Sequence, residues 1–312
     1  MFGALIIDKP QDFTSHDVVA RVRRATGTRR VGHAGTLDPF ATGVLVCCIG
    51  RATRLVQFLV GLDKDYIGTV RLGFATDTQD ATGKQITPLR SSKEVSLEEL
   101  RRTLNGFIGP LLQTPPMFSA KKVGGKRLYR AAREGLELER APVSIVVHSI
   151  DLVKDETVLN SNEDGTVDFE IRVRCSSGTY IRTLADDVGR ALGVGGHLAS
   201  LRRLKVGEFD LDEAVTLEAL ESMSRAEVEN HLIDGARIVS HLPRVMLDEE
   251  RANLISNGRR IFVSEAETER AVEGEGFLRL CDHEGRLVAI GERIPIDDLV
   301  RPRVVVATGT ET

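Results

Sequence analysis

The stretch Gly32-His33-Ala34-Gly35-Thr36-Leu37-Asp38-Pro39-Phe40-Ala41-Thr42-Gly43 carries three glycines, one proline and a single acid. Gly and Pro at this density do not propagate a helix or a central strand, so the segment reads as a shaped loop. The apolar run Val44-Leu45-Val46-Cys47-Cys48-Ile49 that follows reads as a buried strand. One carboxylate, Asp38, therefore stands in a rigid turn at the mouth of a core strand. Pro39 biases it toward an extended backbone, and Gly35 and Gly43 allow positive φ or the close approach of another chain segment. A carboxylate held this way is a candidate nucleophile or general base. It is equally an Asx-turn residue that does no more than fix the loop, and local chemistry leaves both readings open.

Further along the chain, other residue types could serve such a carboxylate. Tyr66, one of only three tyrosines, sits in the strand-like run Lys64–Gly73 and is either core or a platform on which a base stacks. Arg182 falls in the first turn of a helix fed by the turn Ser176-Ser177-Gly178, where it could pair with a carboxylate across a cleft or lie on the surface. Net charge is −4, which alone argues against a polyanionic partner, but its distribution is uneven. Residues 1–150 hold 22 Lys and Arg against 14 Asp and Glu, a surplus of eight positive charges, while residues 151–312 carry −12. The positive half has two foci, Arg21 to Arg30 and Lys121 to Arg130. The second lies in a basic, glycine-containing excursion at about 115–135 that is either a solvated insertion or a clamp for phosphates. The four cysteines, Cys47, Cys48, Cys175 and Cys281, show no Cys-x-x-Cys spacing and no accompanying His cluster. The expectation is free thiols, no metal site and a reducing compartment, the cytoplasm.

The elements that must position these groups follow from local pattern. Residues 2–8 read as a first strand; the chain start has no basic n-region and does not read as a secretory signal. Ser15 is the expected cap of a helix to about Thr26, stopped by Gly27. A short helix is expected near 53–60, and a capped helix from Ser96 to about Gly106. Strands are expected at 64–73, 142–153 and 166–175. Leu198, Leu201 and Leu204 continue an apolar pattern, and residues 211–239 read as helical and acidic. A boundary near 240–245 precedes a helix capped by Asp248, strand-like runs at 260–263, 276–281 and 286–291, and a hairpin turn at Asp282–Gly285. No stretch is long and apolar enough to span a bilayer. At 312 residues the chain should form two domains, 1–240 and 241–312.

Several segments together resemble the TruB family of tRNA pseudouridine-55 synthases. They are Lys9-Pro10 with Thr14-Ser15, Gly32 to Pro39, Lys64-Asp65-Tyr66, Pro115-Pro116 with Ser119-Ala120, Gly178 to Arg182, and Leu201-Arg202-Arg203-Leu204. They stand in family order over about two-thirds of the chain. The C-terminal module resembles a PUA domain. Asp12 departs from the pattern, which has Gly there. The resemblance implies an α+β fold, a mixed, mainly antiparallel sheet flanked by helices, with a small β-rich module appended.

The resemblance also assigns roles. Asp38 matches the catalytic aspartate and Arg182 the arginine paired with it. Tyr66 matches the tyrosine that stacks on the target base, Leu201 an apolar wall, and His33 a residue that occupies the space left by the flipped nucleotide. Tyr180 and Lys9 belong to motifs expected to meet the substrate. The excursion at 115–135, with Lys121, Lys122, Lys126 and Arg127, matches the arm that closes on RNA. The implied reaction is isomerisation of a T-arm uridine of tRNA to pseudouridine by a monomer that uses no cofactor. Two other readings stand beside it: a tRNA-binding or tRNA-folding protein, and a synthase directed by a guide RNA. The positive charge of Arg182 is expected to favour the ionised form of Asp38.

Overall fold

The computed structural model describes residues 1–92, 95–119, 122–123, 126–128, 136, 138–153, 159–269, 276–294 and 298–306. Its centre is a mixed, mostly antiparallel sheet. Along the sheet the strands run Val215–Thr216, Gly3–Lys9, Thr42–Ile49, Gly196–Val206, Lys64–Leu72, Val167–Cys175, Val143–Leu152 and Gly109–Gln113. Only two of these junctions are parallel, at Val215–Thr216 and between Thr42–Ile49 and Gly196–Val206. The second has just two residue pairs, Arg202 with Thr42 and Arg203 with Gly43. The two halves of the sheet meet at this short seam.

The two longer strands left of the seam, Gly3–Lys9 and Thr42–Ile49, are mostly apolar because both their faces are covered. In Gly3–Lys9, Leu5 and Ile7 pack with Val18, Val19 and Val22 of the helix Ser15–Thr26, while Ala4 and Ile6 face the other way. Thr42–Ile49 divides in the same manner. Leu45 and Cys47 meet the helix, and Val44, Val46 and Cys48 join a core that includes Cys281, Ile290 and Val304 from the C-terminal part of the chain. Right of the seam, Lys64–Leu72 alternates: Lys64, Tyr66, Val70 and Leu72 are buried. On its opposite face cross-strand ion pairs, Arg71 with Asp168 and Asp65 with Arg172, tie it to Val167–Cys175.

The C-terminal part is a second sheet in the order Arg244–Met246, Phe277–Cys281, Leu287–Ile294, Leu299–Val305, Ile261–Phe262, with the helix Glu249–Ser256 on it. The Asp282–Gly285 hairpin turn links Phe277–Cys281 to Leu287–Ile294 as the sequence suggests. The module packs on the first sheet through Phe58 and Phe277, whose rings meet edge to face at 5.1 Å, and through Arg54, which donates to the Val305 carbonyl at 2.8 Å.

Several local expectations need correction. The helix Ser15–Thr26 is capped by Thr14, not Ser15, through a reciprocal box with Asp17. Gly32 to Ala34, expected as loop, belong to a strand, Val31–Ala34, paired antiparallel with Thr42–Ile49. The apolar pattern at Leu198, Leu201 and Leu204, which the sequence leaves without an element, belongs to a central strand, Gly196–Val206. Residues 211–239, expected to be helical, hold a 3-10 turn, an edge strand and three short α-helices. Asp12, the departure from the family's glycine, adopts φ +66°, the left-handed conformation in which glycine is strain-free. Asp tolerates that region better than most side chains.

Candidate active site

The short parallel seam is where the chemistry-bearing residues gather. Gly43 stands at φ +100°, and a Cβ there would lie 2.2 Å from the Arg203 carbonyl oxygen. Only glycine lets the two strands touch at this point, and the loop that precedes it then folds over the seam. Lys9 fixes that loop from below. It is fully buried, and its ammonium donates to the carbonyls of Phe13 at 2.7 Å, Pro10 at 2.8 Å and Pro39 at 3.1 Å. All three of its hydrogens are thus committed to backbone, which leaves none for a substrate. Lys9 shapes the loop, and the sequence expectation of direct contact is corrected accordingly. Ser15 adds a second tie, accepting from the Leu37 amide at 2.9 Å.

Above the loop lies a cavity of about 370 Å³ bounded by Asp38, Tyr66, Tyr180, Arg182, Leu201 and Arg203. Tyr66 and Arg203 are directly opposite one another on adjacent strands, as are Gly68 and Leu201. Leu201 and Arg203, two residues apart on one strand, share its inward face. Tyr66 and Leu201 are each 8% exposed, so both form wall as well as core.

Asp38 Oδ2 lies 2.9 Å from Arg182 Nε. This contact is ionic, since the Nε hydrogen has no aligned acceptor. The guanidinium is held instead at its tips. Nη1 donates to the Thr78 carbonyl at 3.0 Å and lies 3.4 Å from Asp80 Oδ2, and Nη2 donates to the Phe118 carbonyl at 3.0 Å. A buried arginine is thereby bracketed by two carboxylates. Asp80 is itself fixed, its Oδ1 accepting from the hydroxyls of Thr78 at 2.7 Å and Thr82 at 2.6 Å.

Burial pushes the Asp38 carboxyl above the ordinary carboxylate range. Arg182 pulls the other way, Asp80 adds to the rise, and Lys9 opposes it. The expectation that Arg182 favours the ionised form holds for that pair, but desolvation outweighs it and the net direction is upward. Burial likewise pulls Lys64 down to about 8, with Arg203 adding to the effect. His33 does not line the cavity. It packs edge to face on His16 at 5.6 Å, and burial, then His16 and Arg203, hold its imidazole down at about 4, so it is neutral at physiological pH.

The chain matches the TruB family pseudouridylate synthase (N terminal domain) model over residues 23–181. A protein of Solibacter usitatus (strain Ellin6076) named tRNA pseudouridine synthase B is 42% identical over 308 residues, covering 98% of this chain and 100% of that one. The chain belongs to the TruB family of pseudouridylate synthases. Residues 182–252 match the tRNA pseudouridylate synthase B C-terminal domain, and residues 243–306 the model described as Pseudouridine synthase II TruB, C-terminal. An Aquifex aeolicus (strain VF5) relative of the same name is 40% identical, covering 94% of this chain and 96% of its own. The fold is that of the protein in "Crystal structure of the archaeal box H/ACA sRNP Nop10-Cbf5 complex", with a TM-score of 0.73 at 23% identity, covering 98% of this chain and 86% of that one.

In this TruB family member the structure brings Asp38, Tyr66, Tyr180, Arg182 and Leu201 together, and Lys9 and His33 do not line the cavity with them. Lys121 lies outside the described residues. Of Lys122, Lys126 and Arg127 only the backbone is described, as two short antiparallel strands, Lys122–Val123 and Lys126–Arg127. In the earlier basic focus, Arg21 is paired with Glu221 at 2.5 Å, so part of that charge is neutralised. Sequence reasoning missed Asp80 and Arg203. Asp80 had a local signal, an acid flanked at two residues on each side by threonine. Arg203 had one as well, its place in the family segment Leu201-Arg202-Arg203-Leu204. Among the described residues no group of three or more His, Cys, Asp or Glu is placed to hold a metal ion, and no helix is long and apolar enough to cross a membrane.

Proposed function

We propose that the protein isomerises one T-arm uridine of tRNA, uridine-55, to pseudouridine, with Asp38 as its catalytic residue. The observation that carries this reading is a single carboxylate in a nucleotide-sized cavity, 2.9 Å from a buried arginine and beside a tyrosine wall. A uridine inside a folded arm reaches such a cavity only by extrusion, at a cost of roughly a few kcal/mol. Stacking on Tyr66 returns about 1–3 kcal/mol. Leu201 and Tyr180 close the pocket around the base. His33, on the strand before the loop, fills the space left by the flipped nucleotide. The arm at 115–135, through Lys121, Lys122, Lys126 and Arg127, grips phosphates and makes binding fall with salt.

The reaction breaks the N1–C1′ bond, turns the uracil and forms C5–C1′. The C5 proton leaves and N1 gains one. All atoms come from the substrate and water, and no electrons change hands, so the chemistry needs no cofactor. Ionised Asp38 acts as nucleophile or base, and Arg182 sustains that form against the desolvation that raises its pKa. Lys9 holds the loop through its three carbonyl contacts. The protein works as a monomer in the cytoplasm, in keeping with four free, buried cysteines.

Relatives aligned over nearly the whole chain bear the name tRNA pseudouridine synthase B, which favours action on tRNA itself over direction by a guide RNA. The test is incubation with a bare tRNA transcript followed by mapping of pseudouridine. The expected product is a single T-arm pseudouridine formed with no other RNA present. A requirement for a second RNA would move the assignment to the guided type.

A further inference from the structure

We propose that Gln113 is a positioning residue for the Asp38–Arg182 pair, acting as a latch between the root of the arm and the start of the helix that carries Arg182. Gln113 ends the edge strand Gly109–Gln113, just before Pro115-Pro116 and the arm. Its side chain is an extended polar group taken almost wholly out of water, at 4% exposure. Such a group needs partners, and it has two on one residue. Its Oε1 accepts from the Tyr180 amide at 2.8 Å, and its Nε2 donates to the Tyr180 carbonyl at 3.0 Å. The amide thus does for Tyr180 what the backbone of a neighbouring strand would do.

Tyr180 is the residue from which the helix Ile181–Ala191 starts, and no side chain caps that start. Its carbonyl also accepts the first helical hydrogen bond, from the Leu184 amide at 3.1 Å. Five residues beyond Gln113, the Phe118 carbonyl takes Arg182 Nη2 at 3.0 Å. Two points on the arm root therefore grip two residues of the helix start, Tyr180 and Arg182, both of which line the cavity with Asp38. A shift of the Tyr180 backbone would carry Arg182 Nε away from its 2.9 Å contact with Asp38. A displacement of that kind costs far more in rate than in binding. Glutamine is the side chain that meets the geometry. Asparagine is one methylene short, and ionised glutamate has no donor for the Tyr180 carbonyl.

The inference rests on the reading of Asp38 and Arg182 as the reacting pair, and two measurements separate the two ideas. Amide hydrogen exchange needs no activity: Gln113→Ala should speed exchange at Tyr180 and the first turn after it while leaving the helix Ser15–Thr26 unchanged. Unchanged exchange at Tyr180 overturns the latch even if the wild type makes no pseudouridine. For single turnover at saturating tRNA, Gln113→Ala should lose about tenfold or more in rate with tRNA affinity within about twofold. Gln113→Glu supplies a readout that a packing role would not move. Its protonated carboxyl offers both donor and acceptor, so its rate relative to wild type at the same pH should climb severalfold from about pH 8 to about pH 5.5. A flat ratio, or Gln113→Ala at the wild-type rate, overturns the proposal.

Discussion

Replacing Arg182 by Met tests the electrostatics of the site most severely. Met keeps an unbranched side chain of similar reach, so the packing of a residue only 3% exposed is largely retained while its cation is removed. Four oxygens lose their partner: Asp38 Oδ2 at 2.9 Å, Asp80 Oδ2 at 3.4 Å, and the carbonyls of Thr78 and Phe118 at 3.0 Å. Breaking a buried ion pair from one side costs about 3–5 kcal/mol, because an uncompensated charge is left behind. The Asp80 side chain is 5% exposed but that of Asp38 is 35% exposed, so solvent screens part of the loss and places it toward the lower end of that range. The cost depends on pH in a definite direction. Burial already holds the Asp38 carboxyl above its ordinary range, and Arg182 is the largest opposing influence. Without it the folded-state pKa rises further above the unfolded value. Such a group contributes stability that is full below the unfolded pKa and is lost as pH rises through the folded pKa. The deficit of the variant should therefore be greatest at neutral pH and shrink in acid. Urea unfolding of both proteins at about pH 7.5 and about pH 5.5 measures it directly. A loss below about 1 kcal/mol, or one equal at both pH values, would refute the reasoning, since it would place the pair in the range of a solvent-screened surface bridge.

Gly43→Ala should cost more than about 4 kcal/mol or prevent folding, because its Cβ would meet the Arg203 carbonyl at 2.2 Å across a seam only two residue pairs long. Denaturant unfolding checks it against Gly27→Ala, where φ is also positive but no atom lies within 4 Å, and where the loss should be about 1–2 kcal/mol. Asp12→Gly should leave stability within about 0.5 kcal/mol, relief of the φ +66° conformation offsetting the greater freedom of the unfolded chain. Asp12→Val should cost about 2 kcal/mol, and equal stability of these two Asp12 variants by thermal melting would contradict the strain argument.

How legible all this was in the chain depended on the range of the interactions. The Asp38 loop announced itself because Gly and Pro act locally. Its first residues still escaped, since Gly32 to Ala34 form a strand through pairing with the more distant Cys48 to Val46. The strand Gly196–Val206 was hidden for a different reason. Its pairing with Lys64–Leu72 shifts register between Leu198 and Ser200 and again between Arg203 and Lys205. Each bulge adds a residue, so Leu198, Leu201 and Leu204 fall at intervals of three and mimic a helix face. The helix cap at Thr14 differed from the expected Ser15 by one position, within what capping chemistry alone distinguishes. Arg182 was found through the family motif that contains it, whereas Asp80 and Gln113 act on it from 102 and 69 residues away in sequence. No local pattern encodes such contacts; the fold has to bring them together. Lys9 shows the reverse error. A lysine in a motif suggests contact with the substrate, yet burial turns all its donors onto backbone carbonyls.

The central claim is that the Asp38 carboxylate performs the chemistry on a flipped tRNA uridine. Asp38→Asn keeps the shape and hydrogen-bonding reach of the side chain and removes its charge. Pseudouridine mapped in a tRNA transcript after incubation with each protein tests this directly, alongside tRNA binding by the variant. The account predicts one T-arm pseudouridine with the wild type, none with Asp38→Asn, and retained tRNA binding by the variant. Pseudouridine formed by Asp38→Asn at the wild-type rate would contradict it.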